Sequence, residues 1–524
     1  MKITTLDTTL RDGVGSSNVS FSNSDKIKIV KLMDELGIDL IEVGNPAYSA
    51  KNATFFEELP SLSLKHARIA VFGATCRPFA VAAEDEALLS MATCGVRDAV
   101  LFGKAWDLHV TDVLKTTLEE NLRMIEDSIR FLCARGMRVI FDAEHFFDGY
   151  VKNRDYAIRV LKTAEKAGAE TVVLCDTNGG TFPDEIFEIT ADAIQNTTIS
   201  VGIHTHNDSG FAVANAAMAV AAGAVHIQGT LNGVGERCGN ASLATVIANL
   251  QLKRGYEIIP TENMHLLTPI SRAVAEISNI SLRNQPYVSR QAFSHKAGMH
   301  IDGILKNSVS FEHIEPSLVG NRRNLLISDI AGRSAVMHVM ERIAPDSAQN
   351  AALVEKIVKK VKELEFGGYQ FDAADASLEL VIRRELGMYR KHFTLKSCRV
   401  ISEYDPKKER SYCSALIRVT VDEKEENCTV DASGPVHAID MALRKALNGF
   451  YPTLTGARFT DYKVRALNTE EAAAGAMTRV LIETTDNEMS WTTVGVSKNV
   501  IEASLNALVD SIEFKLIKSD EKAL

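Results

Sequence analysis

Ile199-Ser200-Val201-Gly202-Ile203 runs directly into His204-Thr205-His206-Asn207-Asp208. The apolar run reads as a buried strand, and in a strand residues i and i+2 point to the same face. His204 and His206 therefore project together. Two imidazoles on one face are either half of a divalent-metal site or a hydrogen-bonded pair in a polar strand end. A helix-periodic stretch, Ala212–Ala222, follows, so the segment is one strand–helix unit with its chemistry at the C-terminal end of the strand.

The same unit recurs from Met1 to about Leu252. The strand candidates are Lys2–Thr8, Asp39–Gly44, Arg68–Ala74, Asp98–Gly103, Arg138–Ala143, Thr171–Cys175, Ser200–Ile203 and His226–Thr230. Helical stretches between them include Ser24–Leu36, Leu114–Arg135, Asp155–Ala167 and Ala212–Ala222. Ser24 reads as an N-cap, and Gly37, Gly136 and Gly168 as helix stops. Eight βα units in about 250 residues have the size and rhythm of a (β/α)8 TIM barrel. A doubly wound open sheet is the alternative, but it seldom needs eight regular units.

Active sites in this fold sit at the C-terminal ends of the strands. Those ends carry Asp7, Arg11 and Asp12; Glu42 and Asn45; Thr75; Lys104; Asp142 and Glu144. Asp176, Thr177 and Asn178, the His204 and His206 pair, and Asn232, Glu236, Arg237 and Asn240 complete the ring. Asp12, His204, His206 and Asn240 offer mixed oxygen and nitrogen donors, which suit a catalytic Zn²⁺, Mn²⁺ or Mg²⁺ with open positions. A 2-oxo acid chelates such a cation through ketone and carboxylate, and the cation polarises the ketone. Arg11 is placed to hydrogen-bond the developing alkoxide. Thr177 is a donor to the substrate carboxylate, and Glu144 is a candidate for proton transfer in enolising a second substrate. Asp142, two residues before Glu144, shares its face and is counted with the substrate-binding groups. A solvated turn at Asp142 and Glu144, and helix capping by Asp176, are the bland alternatives. The loop Gly233-Val234-Gly235-Glu236-Arg237-Cys238-Gly239-Asn240 follows the eighth strand, where such barrels often bind phosphate. Gly233, Gly235 and Glu236 are its candidate contacts for a cofactor or co-substrate.

Beyond about residue 260 the rhythm stops. Residues 1–265 read as the catalytic barrel, 266–395 as a mostly helical linker, and 396–524 as a C-terminal α+β domain. In the last, Thr429-Val430-Asp431-Ala432-Ser433 resembles Thr493-Val494-Gly495-Val496-Ser497, and each opens an amphipathic helix. That repeat predicts a pseudo-twofold domain suited to dimerisation or to holding an effector. The formal net charge of −10 comes without long charge blocks, which argues against nucleic acid or an anionic membrane as partner. No apolar run approaches the roughly 18 residues of a membrane span. Eight scattered cysteines without a CxxC pair, and an N-terminus with no signal-peptide pattern, point to a reduced, cytoplasmic setting.

Asp7-Thr8-Thr9-Leu10-Arg11-Asp12-Gly13, the His204–Asp208 segment and Gly235-Glu236-Arg237-Cys238-Gly239-Asn240-Ala241 together resemble the DRE-TIM metallolyases. The resemblance is strongest to the isopropylmalate, homocitrate and citramalate synthase group. Phe141–Tyr150 and Leu174–Gly180 are most similar to the long bacterial (R)-citramalate synthases. It implies a metal-dependent Claisen condensation of acetyl-CoA with a 2-oxo acid, pyruvate for a citramalate synthase, releasing CoA. It implies Asp12, His204, His206 and Asn240 on the metal, Arg11 on the ketone, Thr177 on the carboxylate and Glu144 in acid–base chemistry. It also implies a homodimer in which His300, after the barrel, serves the partner's active site, and an amino-acid effector at the C-terminal domain. The chain departs from the pattern at Val14-Gly15-Ser16-Ser17-Asn18, where a Gln is common, at Asn45, where Gly-Trp-Pro is common, and at Phe311, where a Tyr is common. These departures leave the acceptor acid open, so isopropylmalate- or homocitrate-type chemistry stays an alternative. A retro-aldol lyase and a catalytically decayed effector-binding protein are the readings from other classes.

Overall fold

The computed structural model describes residues 1–17, 19–48, 53–295, 298–325, 332–371, 374–405, 410–467, 477–486 and 489–523. The chain divides into two compact units, Met1–Phe293 with Ile314–Arg323, and Ser294–His313 with Asn324–Leu524.

The first unit is the expected barrel. Its strands are β1 (Thr4–Asp7), β2 (Leu40–Glu42), β3 (Arg68–Ala74), β4 (Asp98–Lys104), β5 (Arg138–Glu144), β6 (Thr171–Asp176), β7 (Ser200–Thr205) and β8 (His226–Gly229). They are hydrogen-bonded in sequence order, all parallel, and β8 closes on β1 through Thr4–Asp7 against His226–Gly229. Around them run α1 (Asn23–Leu36), α2 (Ala53–Glu58), α3 (Glu86–Thr93), α4 (Leu118–Cys133), α5 (Phe146–Ala167), α6 (Pro183–Gln195), α7 (Ala212–Ala222), α8 (Leu243–Arg254) and α9 (Leu267–Ile277).

Alternation along the strands sorts side chains into two cores. Ile41, Val71, Leu101, Phe141, Leu174, Ile203 and Ile227 face outward against the helices. Leu6, Leu40, Ala70, Val100, Ile140, Val173 and Cys175 fill the bore and floor the mouth above them.

Three local expectations shift. Ser22, not Ser24, caps α1: its hydroxyl accepts from Asp25 N–H, and the Asp25 carboxylate accepts from Ser22 N–H in a capping box. Helix α4 begins four residues later than the pattern suggested, at Leu118 behind the Thr117 cap, because Lys115 takes a left-handed φ of 54° that no helix continues through. Helix α5 starts earlier, at Phe146, and breaks at Asn153 (φ −150°), so the periodic stretch from Asp155 is its second half. Gly149 permits the first half: a Cβ there would lie 2.3 Å from Ala105 O.

The second unit opens with short elements: β9 (Ser294–His295), α10 (Gly298–Lys306), β10 (Asn324–Leu325), α11 (Gly332–Ile343), α12 (Pro345–Ala348), α13 (Ala351–Phe366) and α14 (Asp375–Glu385). Two βββα modules follow. The first is β11 (Thr394–Asp405), β12 (Arg410–Val421), β13 (Lys424–Ala432) and α15 (Pro435–Leu447). The second is β14 (Arg458–Ala466), β15 (Thr478–Thr485), β16 (Ser490–Ser497) and α16 (Val500–Ala523). Each sheet is antiparallel, and the two share one core.

The expected repeat is therefore present, but its phase differs from the quoted pentapeptides. Core positions recur 65 residues apart: Ile417 and Ile482, Ala438 and Ala503, Leu443 and Leu508, Leu447 and Ile512. The pentapeptides are 64 apart, and one residue along a strand reverses the face. Val430 packs on the shared core, whereas Val494 faces α11, α13 and α14.

Candidate active site

The turn after β1 aims the first two functional side chains. Asp7 accepts from Thr9 N–H (3.0 Å) and Thr9 Oγ1–H (2.8 Å), and Thr8 C=O accepts from the N–H groups of Arg11 and Asp12. Burial pushes Asp7 up to about 7, against the hydrogen bonds from Thr9. Asp7 is thus a brace for the turn. Arg11 emerges with its guanidinium 3.9 Å from the Phe72 ring centroid. Its Nε donates to Glu42 Oε1 (2.5 Å) and its Nη1 pairs with Asp12 Oδ1. Burial raises Glu42 to about 7 although Arg11 opposes it.

The other Asp12 oxygen, Oδ2, is buried without a hydrogen bond, 3.5 Å from His204 Nε2. The His204 and His206 ring centroids are 5.2 Å apart. An antiparallel bridge between His206 and Asn240 brings the loop after β8 against the end of β7. Asn240 Nδ2 donates to Val234 O (3.1 Å), leaving its Oδ1 buried and unpartnered, as is His206 Nδ1.

Charge states suit a cation. Burial, with His204 beside it, takes His206 down to about 3, and burial lowers His204 too, so both imidazoles keep free lone pairs. Burial alone would raise Asp12, but Arg11 and then His204 hold it below the usual carboxylate range. Among the described residues no three His, Cys, Asp or Glu donors are drawn in to metal-binding distance. The corner fits a divalent ion by its donor types and their orphaned atoms rather than by contracted geometry.

Beside this corner lies a cavity of about 230 Å³ lined by Arg11, Phe72, Phe102, Asp142, Glu144, Cys175, Thr177, His204 and His206. Phe72 and Phe102 stack with centroids 5.1 Å apart and form an aromatic wall. Glu144 pairs with Lys104 from the neighbouring strand. Burial, with Glu42 nearby, keeps Asp142 well above the usual carboxylate range. Thr177 Oγ1 accepts from His145 N–H (2.9 Å), which frees its own hydroxyl proton for another acceptor. His145 reaches that contact from a left-handed conformation, φ 57°.

Not every expected group joins. Gly233 and Gly235 pack against Asn240: Gly233 O accepts from Asn240 N–H, and a Cβ on Gly235 would lie 2.2 Å from Asn240 Nδ2. Glu236 is exposed at the rim, next to Gly15. Asp176 ties down its own loop by accepting from Thr181 Oγ1–H (2.8 Å). Asn45 accepts from Ala47 N–H and turns its amide toward Gly73, so it does not line the cavity. His300 belongs to the second unit, where it is exposed on α10 and stacks on Phe311 with centroids 4.2 Å apart.

Two contributors have roles that the sequence leaves unassigned: Arg237, read only as one of the strand-end groups, and Gln228, not singled out at all. Arg237 grips Asp208 through Nε (2.8 Å) and Nη2 (2.9 Å) and donates to Thr177 O, fastening the glycine loop to β6 and β7. Gln228, fully buried on β8, accepts from His204 Nδ1–H (2.9 Å) and donates to Asp142 Oδ1 (2.8 Å). Elsewhere, an open groove of about 580 Å³ along α13 has no convergent chemistry.

Residues 2–274 match the HMGL-like family, 287–366 the homocitrate synthase post-HMGL domain-like family, and 372–516 the LeuA allosteric (dimerisation) domain. The (R)-citramalate synthase of Aquifex aeolicus (strain VF5) is 48% identical over 525 residues, spanning 100% of this chain and 99% of that protein. That of Sulfolobus acidocaldarius is 47% identical over 522 residues, spanning 98% of each. Among solved structures, the HMG-CoA lyase of Bacillus subtilis aligns with 54% of this chain and 96% of its own, at 18% identity and a TM-score of 0.46.

Proposed function

The chain belongs to the HMGL-like family, in the branch of the (R)-citramalate synthases, and we propose that it condenses acetyl-CoA with pyruvate and that water then hydrolyses the resulting thioester to give (R)-citramalate and CoA. The observation that carries this reading is the barrel mouth itself: a cation corner of Asp12, His204, His206 and Asn240 opens on a small cavity walled by Phe72 and Phe102. A divalent cation there supplies Lewis acidity toward the ketone of the acceptor. Two oxygen donors and two imidazole nitrogens with open positions accept Mn²⁺ or Mg²⁺, with Zn²⁺ as the further candidate.

Arg11, locked by Glu42 and Asp12, donates to the acceptor oxygen where negative charge develops. Thr177 directs its free hydroxyl proton at the acceptor carboxylate. Asp142 lines the same cavity and contributes to acceptor binding. Glu144 removes a proton from the acetyl methyl, and Lys104 holds its carboxylate in place. The aromatic wall takes a methyl group and leaves little room for a branched side chain. Gly233 and Gly235 serve the co-substrate indirectly, through Asn240, and Glu236 meets acetyl-CoA at the rim.

The working form is a cytoplasmic homodimer joined through residues 396–524, with His300 of the 266–395 segment completing the acid–base set in a second copy. The two βββα modules offer a pseudo-symmetric site for an amino-acid effector. No helix among the described residues is long and apolar enough to cross a membrane.

The test is CoA thiol release by purified protein with Mn²⁺ or Mg²⁺, acetyl-CoA and a panel of 2-oxo acids. Pyruvate is expected to give the highest kcat/KM. If no acid stimulates release above thioester hydrolysis, the proposal fails.

A further inference from the structure

The hydrogen bonds of Gln228 cross the barrel. It projects into the bore from β8, directly beside His204 in the β7–β8 register, and reaches Asp142 on β5, three strands away. Its side chain has no exposed surface. One amide therefore ties the cation corner to the acceptor cavity, and the two ends do different jobs. Because Nε2 donates to Asp142, Oε1 is left to accept, and it takes the Nδ1 proton of His204 (2.9 Å). With Nδ1 protonated, the His204 lone pair lies on Nε2, the nitrogen 3.5 Å from Asp12.

We propose that Gln228 is a positioning residue that selects the ligating tautomer of His204 through its oxygen and orients Asp142 toward the acceptor through its nitrogen. This rests on the condensation reading for its acceptor half only.

The two halves separate by substitution. Gln228→Met keeps most of the volume and loses both hydrogen bonds. Gln228→Glu keeps an oxygen for His204 and loses the donor to Asp142. Titration of the metal-free protein with Mn²⁺ alone, followed by electron paramagnetic resonance of the free ion, reads the first half. Q228M is expected to bind Mn²⁺ about 10- to 100-fold more weakly, the usual range for loss of a ligand's supporting partner. Q228E is expected to stay within about threefold of the wild type, because the tautomer is preserved. Steady-state kinetics read the second half: Q228E is expected to raise KM for pyruvate by about tenfold, for loss of the buried hydrogen bond to Asp142.

Wild-type Mn²⁺ binding by Q228M, or equal weakening in both variants, would overturn the proposal, since the amide would then be filling space. If Q228M does not fold, Q228E alone decides: retained Mn²⁺ affinity with a raised KM supports the assignment, and weakened affinity refutes it. The Mn²⁺ measurement needs no turnover. A wild type that makes nothing from pyruvate would sink the functional reading while the Mn²⁺ ranking still judges Gln228.

Discussion

Gly235→Ala isolates what the glycine loop does. A Cβ at that position would sit 2.2 Å from Asn240 Nδ2 and 3.3 Å from Asn240 Cγ. Ordinary contact begins near 3.4 Å, so the amide must retreat by about 1.2 Å, the difference between 3.4 and 2.2. Asn240 is buried and bonded to Val234 O, so it has no free space to swing into. Losing that hydrogen bond costs about 1 kcal/mol, and overpacking adds about 1–3 kcal/mol. The larger effect is on the site, because Asn240 Oδ1 moves with its amide. A displacement of about 1 Å in a positioned group costs on the order of 100-fold in rate.

We therefore expect kcat to fall about 100-fold, and the Mn²⁺ concentration for half-maximal activity to rise about tenfold, within the range for a disturbed metal shell. The melting temperature should fall by about 4–16 °C, from about 2–4 kcal/mol at about 2–4 °C per kcal/mol. The assay is CoA thiol release against Mn²⁺, with a thermal melt on each sample. Gly449→Ala, where the added methyl meets nothing within 4 Å, is the control. A folded Gly235→Ala enzyme with the wild-type Mn²⁺ response would refute the claim that this loop presents Asn240 to a cation.

Arg11→Lys should lower kcat/KM by about 1,000-fold, because a lysine cannot hold Glu42 and Asp12 in a fork while donating to the acceptor; initial rates at saturating Mn²⁺ check this. Glu144→Gln should lower kcat by about 100- to 10,000-fold and abolish deuterium exchange into the acetyl methyl in D₂O, read by NMR. His392 gives a pH prediction in the second unit. Burial opposes its charge, but hydrogen bonds to Glu513 (2.8 Å) and Asp520 (3.0 Å) outweigh burial and raise it above its ordinary 6.5. A raised folded value means the ion pairs stabilise fully below about pH 6.5 and fade as pH climbs through the folded value. His392→Gln should thus lose more stability at pH 6 than at pH 9 in urea titrations; an equal loss at both would contradict the charged pairing.

The strand–helix alternation and the polar strand ends were legible because strand periodicity and barrel polarity act locally along the chain. Asp12, His204 and His206 could be placed together once closure of β8 on β1 was inferred. What could not be read was of two kinds. Gln228 and Arg237 act across the barrel and between loops, and a lone Gln in a buried strand has no pattern to betray a partner 86 residues away. The phase of the C-terminal repeat misled because Thr-Val-x-x-Ser is compatible with either face of a strand; only the packing of Ile417, Ile482 and the two helices sets the interval. Asn45, although it departs from the resembled pattern, braces the turn after β2 and leaves the cavity untouched.

The central claim is that this mouth joins acetyl-CoA to pyruvate. Offering the enzyme acetyl-CoA, Mn²⁺ and an equimolar mixture of pyruvate, 2-oxobutyrate, 2-oxoisovalerate and 2-oxoglutarate, and identifying the products by mass spectrometry, tests it directly. Citramalate as the dominant product, lost on chelation and restored by Mn²⁺, is the predicted result. A dominant product from a larger acid, or product formation that survives complete removal of divalent metal, would contradict it.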